Sequence, residues 1–329
     1  MLILSESDLR AVLSLGDVIE AVEAGFRALA RDDANVPERL RLDVPAHKGV
    51  LLQMPAYLGS LNSSKESALG TKIVSVFEEN AERGLDAVQA VYLLLDSRTG
   101  VPLALMEGRF ITAIRTAATS AVATKFMAGP GSKRLAVFGA GVQAESHLEA
   151  MIEAADVKHV MIVSRSADKA GALADRVRAV HDLPCELVSA ERAAAMANLI
   201  CTCTSSPAPL FDGRLLNGGT HINAVGAFTP LTRELDTETV RRARVIIDAE
   251  SAAGREAGEI LIPISEGAIE ANHLKGTLAD IVSGKVAGRE SPSEITLFKS
   301  CGLAIEDLVT AKLAYSRAIE GGIGTRVSL

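Results

Sequence analysis

An α/β fold built on a doubly wound parallel sheet is predicted by three observations in this chain of 329 residues. The first is the apolar run Leu135-Ala136-Val137-Phe138, which ends in Gly139-Ala140-Gly141-Val142-Gln143-Ala144 and reads as a strand, a tight turn and a helix over 143–155. The second is another strand over 159–164, at the distance a βαβ unit requires. The third is a succession of short apolar runs at 186–188, 199–204, 221–225 and 245–249, with helical stretches at 167–180 and 190–197 serving as crossovers.

The residue types in the glycine turn carry chemistry. Gly139 permits the tight turn, Gly141 has no Cβ to block a pyrophosphate approaching the backbone, and small Ala144 lets the helix pack close to its strand. The N–H groups of the helix N-terminus then face the phosphates. The spacing predicts a Rossmann-type dinucleotide-binding unit with Gly139, Gly141, Val142 and Gln143 at the cofactor.

Composition sets the outer bounds. The chain is long enough for two domains and a sizeable core, and 48% hydrophobic with 23% charged residues is ordinary for a globular protein. A net charge of -7 without a Lys/Arg-rich run excludes a general nucleic-acid binder. Met1-Leu2-Ile3-Leu4-Ser5-Glu6 has neither the basic region nor the apolar stretch of a signal peptide, and nothing approaches the length of a membrane span. Cys185, Cys201, Cys203 and Cys301 form no CxxC pair and have no His at metal spacing. Buried thiols in a reducing cytoplasm, with no disulfide and no metal site, are the expectation.

Along the chain, Leu2-Ile3-Leu4 forms a short strand before two helices, each introduced by a hydroxyl three residues ahead of an acid: Ser5 with Asp8, and Ser14 with Asp17. The second, over 17–30, lines up Val18, Ala21, Val22, Gly25, Phe26 and Leu29 as a core stripe. Strict alternation at 39–44 and 70–76 marks strands and puts Lys72, Val74 and Val76 on one face. A lysine sharing a face with two valines either snorkels at the sheet rim or is a partly desolvated ammonium suited to acid–base work. Strands at 89–95 and 101–106 flank the turn Asp96-Ser97-Arg98-Thr99-Gly100. The small residues over 116–123 predict a closely packed helix with Arg115 in or just before its first turn. There a cation opposes the helix dipole, so Arg115 either clamps a carboxylate beside the helix N–H groups or pairs with a buried acid. Arg241-Arg242-Ala243-Arg244 reads as a solvated helix end, and His221 as a structural residue in an apolar strand.

Several of these stretches together resemble the ornithine cyclodeaminase/μ-crystallin family: Met54-Pro55-Ala56-Tyr57, the Gly70-x-Lys72 strand with Asn80, Arg115-Thr116-Ala117-Ala118, and the glycine turn. Gly219-Thr220-His221-Ile222-Asn223-Ala224-Val225-Gly226, Arg233-Glu234-Leu235-Asp236 and the segment from Thr296 through Lys299-Ser300-Cys301-Gly302 to Asp307 extend the resemblance nearly end to end. It implies a homodimer whose subunits combine a substrate-binding and dimerisation domain, built from both chain ends (1–125 and 299–329), with a central NAD(P)-binding Rossmann domain (126–298). It further implies that Arg39, with Arg41 the weaker choice, and Arg115 bind a substrate carboxylate. Lys72 would manage the proton, with Met54 and Phe228 also at the substrate and Val225 at the cofactor.

Cofactor choice is read at the end of the second strand. An NAD binder usually carries Asp or Glu there for the ribose 2′-hydroxyl, whereas this chain has Ser164-Arg165-Ser166 with Lys169 nearby. A guanidinium and two hydroxyls suit a 2′-phosphate, so NADP(H) is favoured over NAD(H). Thr204 and Ser205 follow a strand on the side where doubly wound sheets bind ligands.

The function expected is reduction of a small imino acid, such as Δ1-pyrroline-2-carboxylate or Δ1-piperideine-2-carboxylate, by hydride transfer to C2. Alanine dehydrogenase, ornithine cyclodeaminase and a non-enzymatic ligand-binding protein like μ-crystallin are the alternatives. One departure from the family pattern separates them. Cyclodeaminases carry an aspartate shortly after the Ile-Asn-Ala-Val-Gly strand, and Phe228 stands in its place; a phenyl ring accepts no proton. From Ser164-Arg165-Ser166 we expect Arg165→Ala to weaken NADPH binding much more than NADH binding, because only NADPH carries the phosphate. Equal losses in parallel fluorescence titrations would remove the cofactor preference.

Overall fold

The computed structural model describes residues 1–60 and 63–328. The chain divides into two compact units, one made of Met1–Thr116 with Leu303–Leu329 and the other of Ala117–Gly302.

The first unit begins with β1 (Leu2–Leu4), α1 (Glu6–Val12), α2 (Leu15–Leu29), β2 (Ala34–Asn35), β3 (Leu40–Val44), β4 (Gly49–Ser60), β5 (Ser63–Phe77), β6 (Val88–Leu95) and β7 (Pro102–Glu107). The helix α3 (Gly108–Met127) carries the chain into the second unit. There follow β8 (Lys133–Phe138), α4 (Val142–Ala154), β9 (Val157–Val163), α5 (Ala167–His181), β10 (Cys185–Leu187), α6 (Ala190–Met196), β11 (Leu199–Thr202) and β12 (His221–Ala224). The second unit closes with α7 (Thr237–Arg242), β13 (Ala243–Ile247), α8 (Glu250–Glu256), α9 (Gly258–Ser265), β14 (Leu274–Thr277), α10 (Leu278–Val282) and β15 (Ile295–Lys299). The chain then returns to the first unit with α11 (Ala304–Gly321) and β16 (Thr325–Arg326).

In the first unit a mixed sheet runs β16-β1-β7-β6-β5-β4-β2, with β3 also paired to β4. Alternation sorts its two faces. Leu52, Met54, Ala56, Lys72, Val74, Tyr92, Leu94, Ala104 and Met106 are buried on one, while Ile73 and Val91 between them are exposed on the other. The antiparallel register sets Lys72 between Met54 on β4 and Tyr92 on β6. α11 packs on β4, β5 and β6, and α2 packs on α11. The α2 stripe is buried at Val18, Val22, Gly25 and Phe26. Gly25 is where the helices come closest, since a Cβ there would stand 3.2 Å from Val309 Cγ1.

α3 begins earlier than the small-residue run suggests. Glu107 caps it, Oε1 accepting from Arg109 N at 3.0 Å and Oε2 from Phe110 N at 2.8 Å. Thr112 Oγ1 and Thr116 Oγ1 donate to carbonyls four residues back, which accommodates threonine in the helix interior. Arg115 therefore lies in the helix body, and the expectation of a cation opposing a helix N-terminus is corrected.

The second unit is a parallel sheet in the order β10-β9-β8-β11-β12-β15-β13-β14. Its first five strands in sequence, β8 to β12, follow the doubly wound order 3-2-1-4-5, with the chain direction of strand addition reversing at β8. The core is a continuous apolar cluster that includes Phe138, Ile200, Ile222, Leu235, Val245 and Leu297. His221 is buried in β12 with Nδ1 2.9 Å from Thr296 Oγ1. Neither β14 nor β15 is among the strands expected from the sequence, although β15 is buried throughout and inserts between β12 and β13. A five-residue segment with Thr296 and Lys299 among its three apolar residues is ambiguous by periodicity, and its place in the sheet comes only from long-range pairing.

The basic cluster at the end of α7 is only partly solvated. Arg241 is exposed and pairs with Glu238, but Arg244 is buried in β13, where Nε donates to Ala287 O at 3.0 Å and NH1 lies 2.9 Å from Glu290.

Candidate functional site

In the first unit the sheet and α11 bury a cluster of opposite charges. Lys72 Nζ donates to Asp307 Oδ1 at 2.8 Å and lies 2.8 Å from Oδ2. Arg115 Nε donates to the same Oδ1 at 3.0 Å, and its NH1 donates to Glu306 Oε2 at 2.6 Å. Glu306 Oε1 accepts from Leu303 N at 3.0 Å, which ties the cluster to the start of α11. Lys72 is 1% exposed, Arg115 5%, and both acids 0%. The structure thus brings Lys72 and Arg115 onto one carboxylate, with Met54 beside Lys72 in the strand register. The rim position for Lys72 is excluded by its burial.

Burial pushes the Lys72 pKa down, and the Arg115 guanidinium pushes it further; Asp307 opposes both, leaving it at about 8. For Arg115, burial alone would lower the pKa, but Asp307 and Glu306 outweigh it and hold the value above the ordinary one. An ammonium that releases its proton near pH 8, held by a permanently charged guanidinium and two acids, is equipped to donate a proton and to bind a carboxylate.

The other residues expected at a substrate lie apart from this cluster in sequence and element. Arg39 precedes β3 and is partly exposed. Arg41, on β3, is exposed and pairs with Asp43 at 2.7 Å. Phe228 belongs to the second unit, in the loop after β12, and is half-buried. Glu306 and Asp307 had no role assigned from the sequence. Their signal was present: Asp307 shares a helical face with Ala304, Ala311 and Ala314, so α11 carries an acid in its apolar stripe.

In the second unit the glycine turn after β8 accommodates a dinucleotide. Gly139 adopts φ +116°, where side chains are strained, and a Cβ there would stand 2.7 Å from Cys203 O. Gly141 is the N-cap of α4, no side chain caps that helix end, and a Cβ at Gly141 would meet nothing within 4 Å. Val142 is 65% exposed beside it. This open backbone at a helix N-terminus is the cradle a pyrophosphate requires. Gln143 is half-buried in the first turn of α4. Ser164, Arg165 and Ser166 follow β9, with Arg165 exposed and Ser166 capping α5. Thr204 and Ser205 follow β11 and Val225 follows β12, all beyond the carboxyl ends of their strands. Cys201 is buried and its thiol is pushed up to about 12 by that burial, so it is no nucleophile at neutral pH. Among the described residues no His, Cys, Asp and Glu side chains group as metal ligands, and no helix is long and apolar enough to cross a membrane.

The chain is similar to known proteins along nearly its whole length. The Ornithine cyclodeaminase/mu-crystallin family model matches residues 1–322. Delta(1)-pyrroline-2-carboxylate reductase of Bacillus cereus is 36% identical over 329 residues, covering 99% of this chain and 99% of its own. The structure of Thermococcus litoralis Delta(1)-pyrroline-2-carboxylate reductase in complex with NADH and L-proline superposes with a TM-score of 0.95 at 43% identity, covering 99% of this chain and 100% of that one. An archaeal alanine dehydrogenase dimer with bound NAD superposes with a TM-score of 0.93 at 31% identity, covering 100% and 99%.

The depressed Lys72 pKa has a consequence for stability. The unfolded chain binds this proton up to about pH 10.4, the folded chain only to about pH 8. Between those values the unfolded state holds more protons, so this residue's contribution to stability rises with pH across that window. Chemical denaturation at pH 7.5, 9 and 10.5 should show that Lys72→Met lacks part of the wild-type gain; identical pH slopes in the two proteins would contradict a depressed Lys72.

Proposed function

We propose that this chain, which belongs to the ornithine cyclodeaminase/mu-crystallin family, is an NAD(P)H-dependent reductase of small cyclic imino acids. Δ1-Pyrroline-2-carboxylate and Δ1-piperideine-2-carboxylate are its first candidate substrates. The observation that carries this reading is the Lys72–Asp307–Arg115 cluster. A non-enzymatic holder of an apolar ligand has no use for two buried cations on a shared carboxylate.

Gly139, Gly141, Val142 and Gln143 hold the pyrophosphate, Ser164, Arg165 and Ser166 the adenosine ribose, and Thr204, Ser205 and Val225 the remaining half of the cofactor. NAD(P)H supplies the hydride that adds to C2 of the imine. The C=N π bond breaks, its electron pair stays on nitrogen, and nitrogen needs one proton to become the secondary amine. Lys72 holds that proton at the imine nitrogen, or supplies it, with its own pKa placed near the working pH. Proton management of this kind contributes roughly a hundred- to ten-thousandfold. Arg115, with Arg39, binds the substrate carboxylate. Glu306 and Asp307 fix the guanidinium in one orientation, which makes it a directional clamp. With two cations against two acids, the cluster suits a ligand that is itself neutral overall, as an iminium carboxylate is. NADPH is preferred to NADH because Arg165 and two hydroxyls replace the usual ribose-binding acid.

The protein acts as a homodimer in the cytoplasm. Leu40, Leu42, Ile73 and Val91 are 56%, 54%, 40% and 42% exposed on the sheet face opposite the cluster. Leu40, Gln53, Ile73 and Val91 line up in register across β3 to β6. Such a row suits burial against a second copy of itself. Ile73→Lys should halve the mass in light scattering coupled to size exclusion; an unchanged mass would place the interface elsewhere.

Two kinetic outcomes test the reaction. Purified protein should oxidise NADPH with either cyclic imine, with kcat/KM falling as pH rises through about 8, and Lys72→Met should lose the turnover and flatten that limb. Ornithine with NAD should yield neither ammonia nor proline, because Phe228 stands where a cyclodeaminase needs an acid. Release of both at an enzymatic rate would favour the cyclodeaminase.

A further inference from the structure

At the carboxyl ends of β11, β12 and β15 lies a second set of buried charges, which the reaction above does not use. Glu234, Glu259 and Lys299 are each 0% exposed. The Glu234 carboxylate accepts four hydrogen bonds. Oε1 takes Thr204 N and Thr204 Oγ1, each at 2.7 Å, while Oε2 takes Thr202 Oγ1 at 2.8 Å and Gly226 N at 2.7 Å. Glu234 N donates to Glu259 Oε1 at 3.0 Å, and Glu259 Oε2 lies 3.2 Å from Lys299 Nζ. Lys299, the last residue of β15, also donates to Ala227 O.

Two of the partners of Glu234, Thr204 N and Gly226 N, are backbone N–H groups that only donate, so each carboxylate oxygen must accept one of them, while the two hydroxyls complete the set. Thr202 ends β11, Thr204 lies two residues past it and Gly226 two residues past β12, so one side chain joins the ends of two neighbouring strands. The loops it joins are in close contact. A Cβ on Gly226 would collide with Thr204 O and come within 2.6 Å of Glu234 Oε1. Two buried acids and one ammonium do little for stability compared with apolar packing. Their concentration at strand ends instead fixes backbone where a doubly wound sheet holds its ligand. The half of the sheet containing β8 and β9 takes one mononucleotide and the half containing β11 and β12 the other.

We propose that Glu234 is the positioning residue for the nicotinamide half of the cofactor, setting the separation of the Thr204 and Val225–Gly226 backbones through its four hydrogen bonds. The proposal rests on the NAD(P)-dependent reading above. Glu259 and Lys299 hold Glu234 in turn, one through its backbone N–H and the other through Glu259.

The test is Glu234→Gln, which keeps the shape but replaces one acceptor oxygen with an NH2 that cannot accept from Gly226 N or Thr204 N. NADPH, and separately 2′-phospho-ADP-ribose, which lacks nicotinamide, are titrated against wild type and variant by fluorescence or calorimetry. Expected is a tenfold or greater loss of NADPH affinity with the ADP-ribose affinity held within twofold. Thr202→Val, which removes a single buried donor, should show the same split at smaller size and serves if Glu234→Gln does not fold. Equal losses for the two ligands, or no loss for either, overturn the positioning role. Wild type that binds NADPH but reduces no imine overturns the proposed function alone, and wild type that binds no NADPH overturns both.

Discussion

The first unit depends on one carboxylate being shared by two cations. Asp307 receives Lys72 and Arg115 together, all three almost without exposure. An ammonium or a guanidinium buried alone is costly; Asp307 and Glu306 outweigh that cost for Arg115, while Asp307 offsets it only in part for Lys72, whose pKa stays depressed. The three residues come from β5, α3 and α11, so the cluster requires the strand register, the helix following the sheet and the last long helix to be in place together. The C-terminal return of the chain is therefore part of the site. Removing Asp307 would leave both buried cations without their shared partner.

The same solution occurs in the second unit with the signs reversed. There an acid, Glu234, is held by hydrogen-bond donors, and a single ammonium, Lys299, balances it through Glu259. In both units the buried charge stands where a strand or helix must present backbone or side chains in a fixed place. A carboxylate does this well because its two oxygens accept several directed bonds. Glycine completes each arrangement by allowing close approach: Gly25 between α2 and α11, Gly139 and Gly226 against the backbone that follows β11.

Membership of the ornithine cyclodeaminase/mu-crystallin family admits several reactions on one framework, and particular residues separate them. In the reaction proposed above, Lys72 and Arg115 would handle the proton and the carboxylate, with Asp307 between them. The position read from the sequence as separating the family's reactions lies after β12, where Phe228 offers bulk and no base. A flat ring with one nitrogen fits that composition better than a chain ending in a second ammonium, whose burial would need a partner.

The local sequence was sufficient where the signal was periodic or compositional. Alternation over 70–76 put Lys72 on one face with Val74 and Val76, and the β8 run with Gly139 and Gly141 announced the strand, turn and helix because the steric needs of that turn are local. Tertiary structure alone decided the rest. β15 joined the sheet only by pairing with β12 and β13, whose partner residues, such as His221 for Thr296 and Ala243 for Ile295, are far away in sequence. The start of α3 was hidden because Glu107, a side chain outside the usual capping set, satisfies its first N–H groups. The partners of Lys72 and Arg115 lie 235 and 192 residues along the chain, and no local pattern states which distant acid will answer a buried cation. Secondary structure follows from neighbours in sequence, whereas a charge pair in the interior follows from which elements the whole fold brings together.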